Sequence, residues 1–235
     1  MTTETRLMTA TALVRGAGAQ LLLETLAHLA WGERTYLGLR SELGALPPPR
    51  PAKFEIRMEP RECPAFDGFG DELRRARGRD CLQVVLLRRL CDAGVRELHV
   101  ATAPDGSPAY CQWLVDESNQ DLLHAHSPGR HPTLAPNEVL LEGAYTFTRF
   151  RGLGLMANGM WQLLAKARDA GARSAITYVG TDSVPALRGC ARVGFAPDHV
   201  RDNLRRLGRT RSFMRPVDDE VLDLWAVATA PKARA

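Results

Sequence analysis

The segment that most constrains this chain runs from Asn137 to Gly180. It holds an apolar run "NEVLLEGAYTFT", a turn with Gly152 and Gly154, a stretch "LMANGMWQLLAKARDAG", and a second apolar run "RSAITYVG". Met156, Met160, Leu163, Leu164 and Ala167 recur at the spacing of an amphipathic helix laid on a sheet, and Gly171 supplies its stop. A strand, a helix and a second strand in that order predict a parallel pair joined by a right-handed crossover. The fold class is therefore mixed α/β, with a helix-flanked central sheet.

The rest of the chain predicts elements around this unit. The first 44 residues read as helical, from leucines and alanines at three- and four-residue intervals between Leu13 and Leu43, and "ALPPPRPAK" then acts as a stiff linker. The expected division is an N-terminal helical extension and Pro-rich linker over residues 1–50, followed by one domain over 51–235. Within that domain "KFEIRME" predicts a strand and "GDELRRARGRDCLQVVLLRRLCDAGV" one or two helices. "RELHVATAPDGSPAYCQWLVDE" predicts two strands about a turn at Asp105 and Gly106. "DSVPALRGCARVG" predicts a short helix, "FAPDHV" and "RTRSFMRP" predict strands, and the polar tail is expected to fray.

Composition narrows the function classes. The net charge of +4 suits anionic partners, but the cations are scattered, and no interleaving of aromatic and basic residues offers a platform for nucleic acid. Only Lys53, Lys166 and Lys232 are lysines among the 31 cationic residues, so the positive charge is nearly all guanidinium, suited to bidentate anion contacts. Cys63, Cys81, Cys91, Cys111 and Cys190 are odd in number and form no C-x-x-C pair, so a disulfide framework or zinc site is not expected and a reducing cytoplasm is. No signal peptide or stretch of about 18 apolar residues is present, so no membrane association is expected. "HAHSPGRH", with His124, His126 and His131, reads as a solvated loop rather than a metal site, since no acidic or cysteine ligand follows at metal-site spacing.

The glycine turn needs a reason, because glycine costs about 1 kcal/mol against alanine in a helix. A helix N-terminus presents unpaired N–H groups and positive dipole, and residues without side chains let an anion approach the backbone. A phosphate cradle and simple tight packing both account for the pair. No lysine follows at Walker spacing, and the third glycine of the dinucleotide fingerprint is absent.

"RFRGLG", Arg149 to Gly154, resembles the [QR]-x-x-G-x-[GA] signature of the GNAT acyl-CoA N-acyltransferases, and it lies between strand and helix as in that family. "SVPALRGCARVGF" is similar to the family's N-x-x-A-x-x-x-Y-x-x-x-G-F segment, with Ala186, Gly194 and Phe195 in register. The resemblance spans about residues 52 to 215. It implies a GNAT fold with splayed parallel strands, and transfer of an acetyl or other acyl group from coenzyme A to an amine by direct attack. By the same resemblance, the N–H groups of Arg151, Gly152, Leu153, Gly154 and Leu155 bind the pyrophosphate, with Arg149 and Arg151 screening charge. The main chain at Ala144, Tyr145 and Thr146 holds the pantetheine arm, and Ser183 stands at the position of the usual asparagine.

Direct transfer needs a base and an acid. Glu138 and Glu142 are four apart on one strand and so share a face. Relatives often carry a catalytic glutamate there, so Glu142 is the expected base and Glu138 the alternate. Cys190 occupies the position of the family's usual tyrosine acid; it is the candidate acid or a packed thiol, with Tyr145 and Tyr178 as substitutes. The expected cosubstrate is acetyl-CoA or another acyl-CoA, with no metal. An acyl carrier protein is an alternative donor, and a homodimer is allowed for. Acceptor loops would come from the early helices and from "HVRDNLRRLGRTRSF", whose arginines suit an acidic small molecule, a carrier protein or solvent. The alternative function is a catalytically silent acyl-CoA sensor or interaction module.

Overall fold

A computed structural model of the protein describes residues 31–63, 66–206 and 209–230. Among these residues eight strands form one sheet in the order β2-β3-β4-β5-β6-β1-β7-β8. They are β1 (Trp31–Glu42), β2 (Met58–Arg61), β3 (Leu98–Thr102), β4 (Pro108–Val115), β5 (Glu138–Thr146), β6 (Ser174–Gly180), β7 (Ala196–Arg206) and β8 (Arg209–Arg215). The helices are α1 (Gly68–Arg75), α2 (Gly78–Asp92), α3 (Gln120–His126), α4 (Leu155–Asp169), α5 (Val184–Ala191) and α6 (Asp219–Thr229).

The β5–β6 pair is parallel and the other neighbours are antiparallel, as expected of the strand–helix–strand unit. Successive residues of β4 show the two covered faces of the sheet. A Cβ on Gly159 of α4 would stand 2.6 Å from the Tyr110 ring, so this helix lies close against one face. Trp113 points to the other, where it stacks on Phe69 of α1 with ring centroids 6.2 Å apart. The buried residues of α2 and α4, among them Val84, Leu87, Met160, Leu163 and Leu164, fill the two layers.

Several expectations are corrected. Residues 31–42 are not helical: they form β1, a central strand paired with both β6 and β7. Leu37, Leu39 and Ser41 are buried at period two, and burial between two strands outweighs the leucine spacing that suggested a helix. The boundary expected near residue 50 therefore does not separate an extension from the sheet, since β1 precedes it. Residues 1–30, the remainder of the expected helical extension, lie outside the described residues. The Pro-rich segment is tied along α4 rather than free, with Trp161 Nε1 donating to the Pro47 carbonyl at 2.7 Å and Asn158 Nδ2 to that of Arg50 at 2.8 Å. The strand expected over "KFEIRME" begins only at Met58.

Part of the tail forms α6, capped by Asp218, whose side chain accepts from Val221 N at 3.0 Å, while residues 231–235 lie outside the described residues. Cys63 and Cys91 form a disulfide, contrary to the cysteine spacing; they lie 28 residues apart, and the return of α2 past α1 brings their Cα atoms to 4.7 Å. His124 and His126 are in the last turn of α3, and the His131 side chain is buried, so the histidine segment is not a solvated loop. No group of metal-ligating side chains occurs among the described residues, and no helix there is long and apolar enough to cross a membrane.

Candidate active site

β5 and β6 pair only from Glu138↔Ser174 to Leu141↔Thr177 and then part. At the point of parting β5 carries a bulge. Cys111 faces Tyr145 and Trp113 faces Glu142, so one residue of β4, Gln112, is matched by two of β5, Gly143 and Ala144. Gly143 adopts φ +64 within it, and a Cβ there would stand 2.8 Å from the Trp113 ring. Glu142 lies on the α1/α2 face, 25 % exposed.

Beyond β5 the chain makes a short turn of 3-10 helix, Thr148–Phe150, and then the glycine turn. Gly152 has φ +76 and Gly154 φ +78, and Gly154 is the N-cap of α4 with no side chain capping the first N–H groups. A Cβ on Gly152 would meet nothing within 4 Å, whereas one on Gly154 would reach the Pro51 carbonyl at 3.4 Å. The left-handed backbone and open approach fit an anion bound by main-chain amides. Glu72 of α1 fixes this turn: its buried carboxylate accepts from Tyr145 Oη at 2.8 Å, Thr148 N at 2.9 Å and Thr148 Oγ1 at 2.6 Å. Arg151 pairs with Asp80 at 2.7 Å and Arg149 with Asp105 at 2.9 Å, so both expected charge-screening arginines already hold carboxylates. Ser183 caps α5 across the gap, without a side-chain hydrogen bond to that helix.

The expected proton-transfer residues have unlike surroundings. Glu138 is buried and ion-paired to Arg40, and it accepts from Ala135 N at 3.2 Å. Glu142 has no such partner; the His131 Nδ1 atom lies 3.8 Å from it. Cys190 is 0 % exposed, and burial pushes its thiol up to about 12. Tyr145 Oη is committed to Glu72, and burial, with that carboxylate, holds its hydroxyl above the usual tyrosine range.

Tyr178 stands beside the gap and joins a chain that sequence alone did not reveal. Its hydroxyl lies 3.0 Å from His199 Nε2, and His199 Nδ1 lies 2.8 Å from Asp198 Oδ2. Gly38 of β1 sits between them in the sheet, in register with both Tyr178 and His199, and its missing Cβ leaves the space the imidazole fills, 2.5 Å away. Burial pushes the Tyr178 hydroxyl up to about 12, opposed by Arg201 over its ring.

A groove of about 700 Å³ lined by Glu97, Asn137, Lys166 and Gly171 lies at the opposite end of β5 and α4. It holds neither the gap nor the glycine turn.

No family model matches the sequence, and no curated protein does either. Among solved structures, the chain is similar to a GCN5-related glucosamine N-acetyltransferase region of a fungal multi-domain GH3 β-N-acetylglucosaminidase. The TM-score is 0.54 at 11 % identity, over 77 % of this chain and 22 % of that one. The fold is that of the GNAT superfamily. A Drosophila protein gives a TM-score of 0.51 at 12 % identity, over 82 % of this chain and 59 % of that one. The chain thus spans well under two thirds of the length of both structures. An acetyltransferase from the GNAT family of Colwellia psychrerythraea is also similar, at 15 % identity over 86 % of this chain and 72 % of that one, with a TM-score of 0.49. Within the GNAT fold, the parting strands and the glycine turn are the features that the sequence resemblance led one to expect.

Proposed function

We propose that this protein is an N-acyltransferase that moves an acetyl or larger acyl group from coenzyme A to an amine. The observation that carries this reading is the gap between β5 and β6, which opens beside the glycine-capped N-terminus of α4. The N–H groups from Arg151 to Leu155 would take the pyrophosphate, and the edge of β5 at Ala144, Tyr145 and Thr146 would hydrogen-bond the pantetheine arm. A β5 amide at the bulge would polarise the thioester carbonyl, a form of oxyanion stabilisation. Ser183 would meet the arm from the α5 side. Coenzyme A supplies the activated acyl group.

Glu142 is the base in this reading. It is the strand carboxylate left without an ion pair at hydrogen-bonding distance, whereas Glu138 is held by Arg40. It takes the ammonium proton, so that the neutral amine attacks the thioester carbon while the C–S bond breaks. Tyr178 suits the return of a proton to the departing thiolate better than Cys190: it borders the gap and is linked through His199 to Asp198, whereas Cys190 is enclosed in the core. That enclosure also motivates a second reading, a silent acyl-CoA-binding module.

Calorimetry with acetyl-CoA, followed by thiol release in the presence of an amine panel, tests both. Binding with turnover supports the transferase, binding without turnover across the panel leaves the silent module, and failure to bind removes both.

A further inference from the structure

Four of the five buried side-chain atoms without a hydrogen-bond partner among the described residues lie in the segment after α3 or on β7: Arg130 Nε, His131 Nδ1, Arg201 Nε and Arg205 Nε. Buried polar groups are ordinarily paired, and each exception needs an account. Arg201 is the most demanding, because its residue is only 2 % exposed and a buried charge is costly unless matched. Its guanidinium lies 3.8 Å from the centre of the Tyr178 ring and 4.7 Å from that of Tyr36, and it donates to the Arg130 carbonyl. No carboxylate of the described residues forms a salt bridge with it; Glu142 attracts it from a greater distance.

The charges around Glu142 form a pattern. Burial, reinforced by Arg201, Arg130 and His124 and opposed by Glu142, lowers His131 to about 4, so at neutral pH it is uncharged. Glu142 attracts Arg201 and Arg130 repels it, so Arg201 is an incompletely matched cation beside the position proposed for the attacking amine. We infer that Arg201, with Arg130, binds a carboxylate on the acceptor, so that the acceptor is an amino-acid-like zwitterion whose ammonium meets Glu142. The arrangement is the mirror of such a molecule: an anion for its cation, and a guanidinium with an unused buried N–H for its anion. The Tyr36 and Tyr178 rings hold the guanidinium plane in place for a carboxylate.

This inference rests on the acyl-transfer reading above. The test pairs carboxylate-bearing amines, the common amino acids, with their amides and with the amines lacking the carboxyl group, in a thiol-release assay with acetyl-CoA, alongside calorimetry of acetyl-CoA alone. The expected result is at least one amino acid with kcat/KM about 100-fold above its amide, the scale of leaving a buried charge unpaired. In Arg201→Lys and Arg201→Gln that ratio should fall toward unity while acetyl-CoA binding persists. Arg130→Gln, which leaves Arg201 in place, should reduce the ratio less and guards against misfolding of the Arg201 variants. If acetyl-CoA binds and amides or plain amines react as well as amino acids, or no amino acid reacts, the inference is overturned and acyl-CoA binding still stands. If acetyl-CoA does not bind, the transferase reading itself fails.

Discussion

Gly152 allows the cradle to be tested with backbone effects held constant. Its φ of +76 costs a residue with a side chain about 1–2 kcal/mol, least for asparagine and aspartate, which visit the left-handed region most readily. Nothing lies within 4 Å of the position its Cβ would take, so neither replacement is obstructed there. Gly152→Asn and Gly152→Asp thus share shape and backbone cost and differ by one charge. A carboxylate about 5 Å from one phosphate charge, at an effective dielectric of about 20, is repelled by about 3 kcal/mol, or about 100-fold in affinity. Gly152 is exposed, so the difference should shrink as salt is raised. Calorimetry of both variants with acetyl-CoA at low and high salt, after circular dichroism shows equal folding, reads this directly. Equal affinity of the two at low salt would refute the cradle and leave the glycines a packing role.

Four further outcomes are expected. Glu142→Gln should keep acetyl-CoA affinity and lose turnover by about 10²–10⁴, with partial recovery at high pH where more of the amine arrives deprotonated, and Glu138→Gln should lose stability more than chemistry. Tyr178→Phe should slow turnover more than Cys190→Ala does, while Cys190→Ala lowers the melting temperature; steady-state rates and thermal melts separate the two. His131, lowered by burial from 6.5 to about 4, binds a proton more readily when unfolded, so its stabilisation is full above pH 6.5 and is lost as pH falls toward 4. The loss is about 3 kcal/mol, and denaturant titrations at several pH values should show a shallower dependence in His131→Gln, with a remainder from His99, also lowered by burial. Denatured without reductant, the protein should titrate three thiols, Cys81, Cys111 and Cys190, and five after reduction. Reduction should cost about 3–4 kcal/mol for a loop of this length.

Local chemistry made much of the site legible. The glycine spacing at 152 and 154, the apolar stripe of α4 and the two strands around it are short-range signals, and they located the turn and the parallel pair. β1 was obscured because Leu37 and Leu39 continue a leucine series that also suits a helix; only pairing with β6 and β7 decides between period two and period three-and-a-half. The disulfide and the Tyr178–His199–Asp198 chain join positions that no spacing rule connects. Arg201 lay in a segment expected to form an acceptor loop, yet its burial depends on Tyr36, Tyr178 and Arg130 folding around it. The α6 helix did leave a trace, Asp218 followed by two acidic residues in the first turn, which the polar character of the tail masked.

The position of β1 also governs the order in which the molecule can be assembled. Its edges are taken by β6 and β7, with Tyr36 against Gly180 and Arg34 against Asn203, so one of the earliest described segments waits for some of the last. During synthesis on a ribosome, β2 through β5 with α1 and α2 can associate as they emerge, but β1 stays an unpaired, leucine-bearing strand until β6 and β7 are available. Closure of such distant pairs is slow because loop entropy is lost before the contacts form. The interval before closure is when this protein is most exposed to aggregation and most dependent on chaperones. A circular permutant opened between β1 and β2, which carries β1 to a place after α6, would have β6 and β7 precede it and should refold faster at unchanged native contacts.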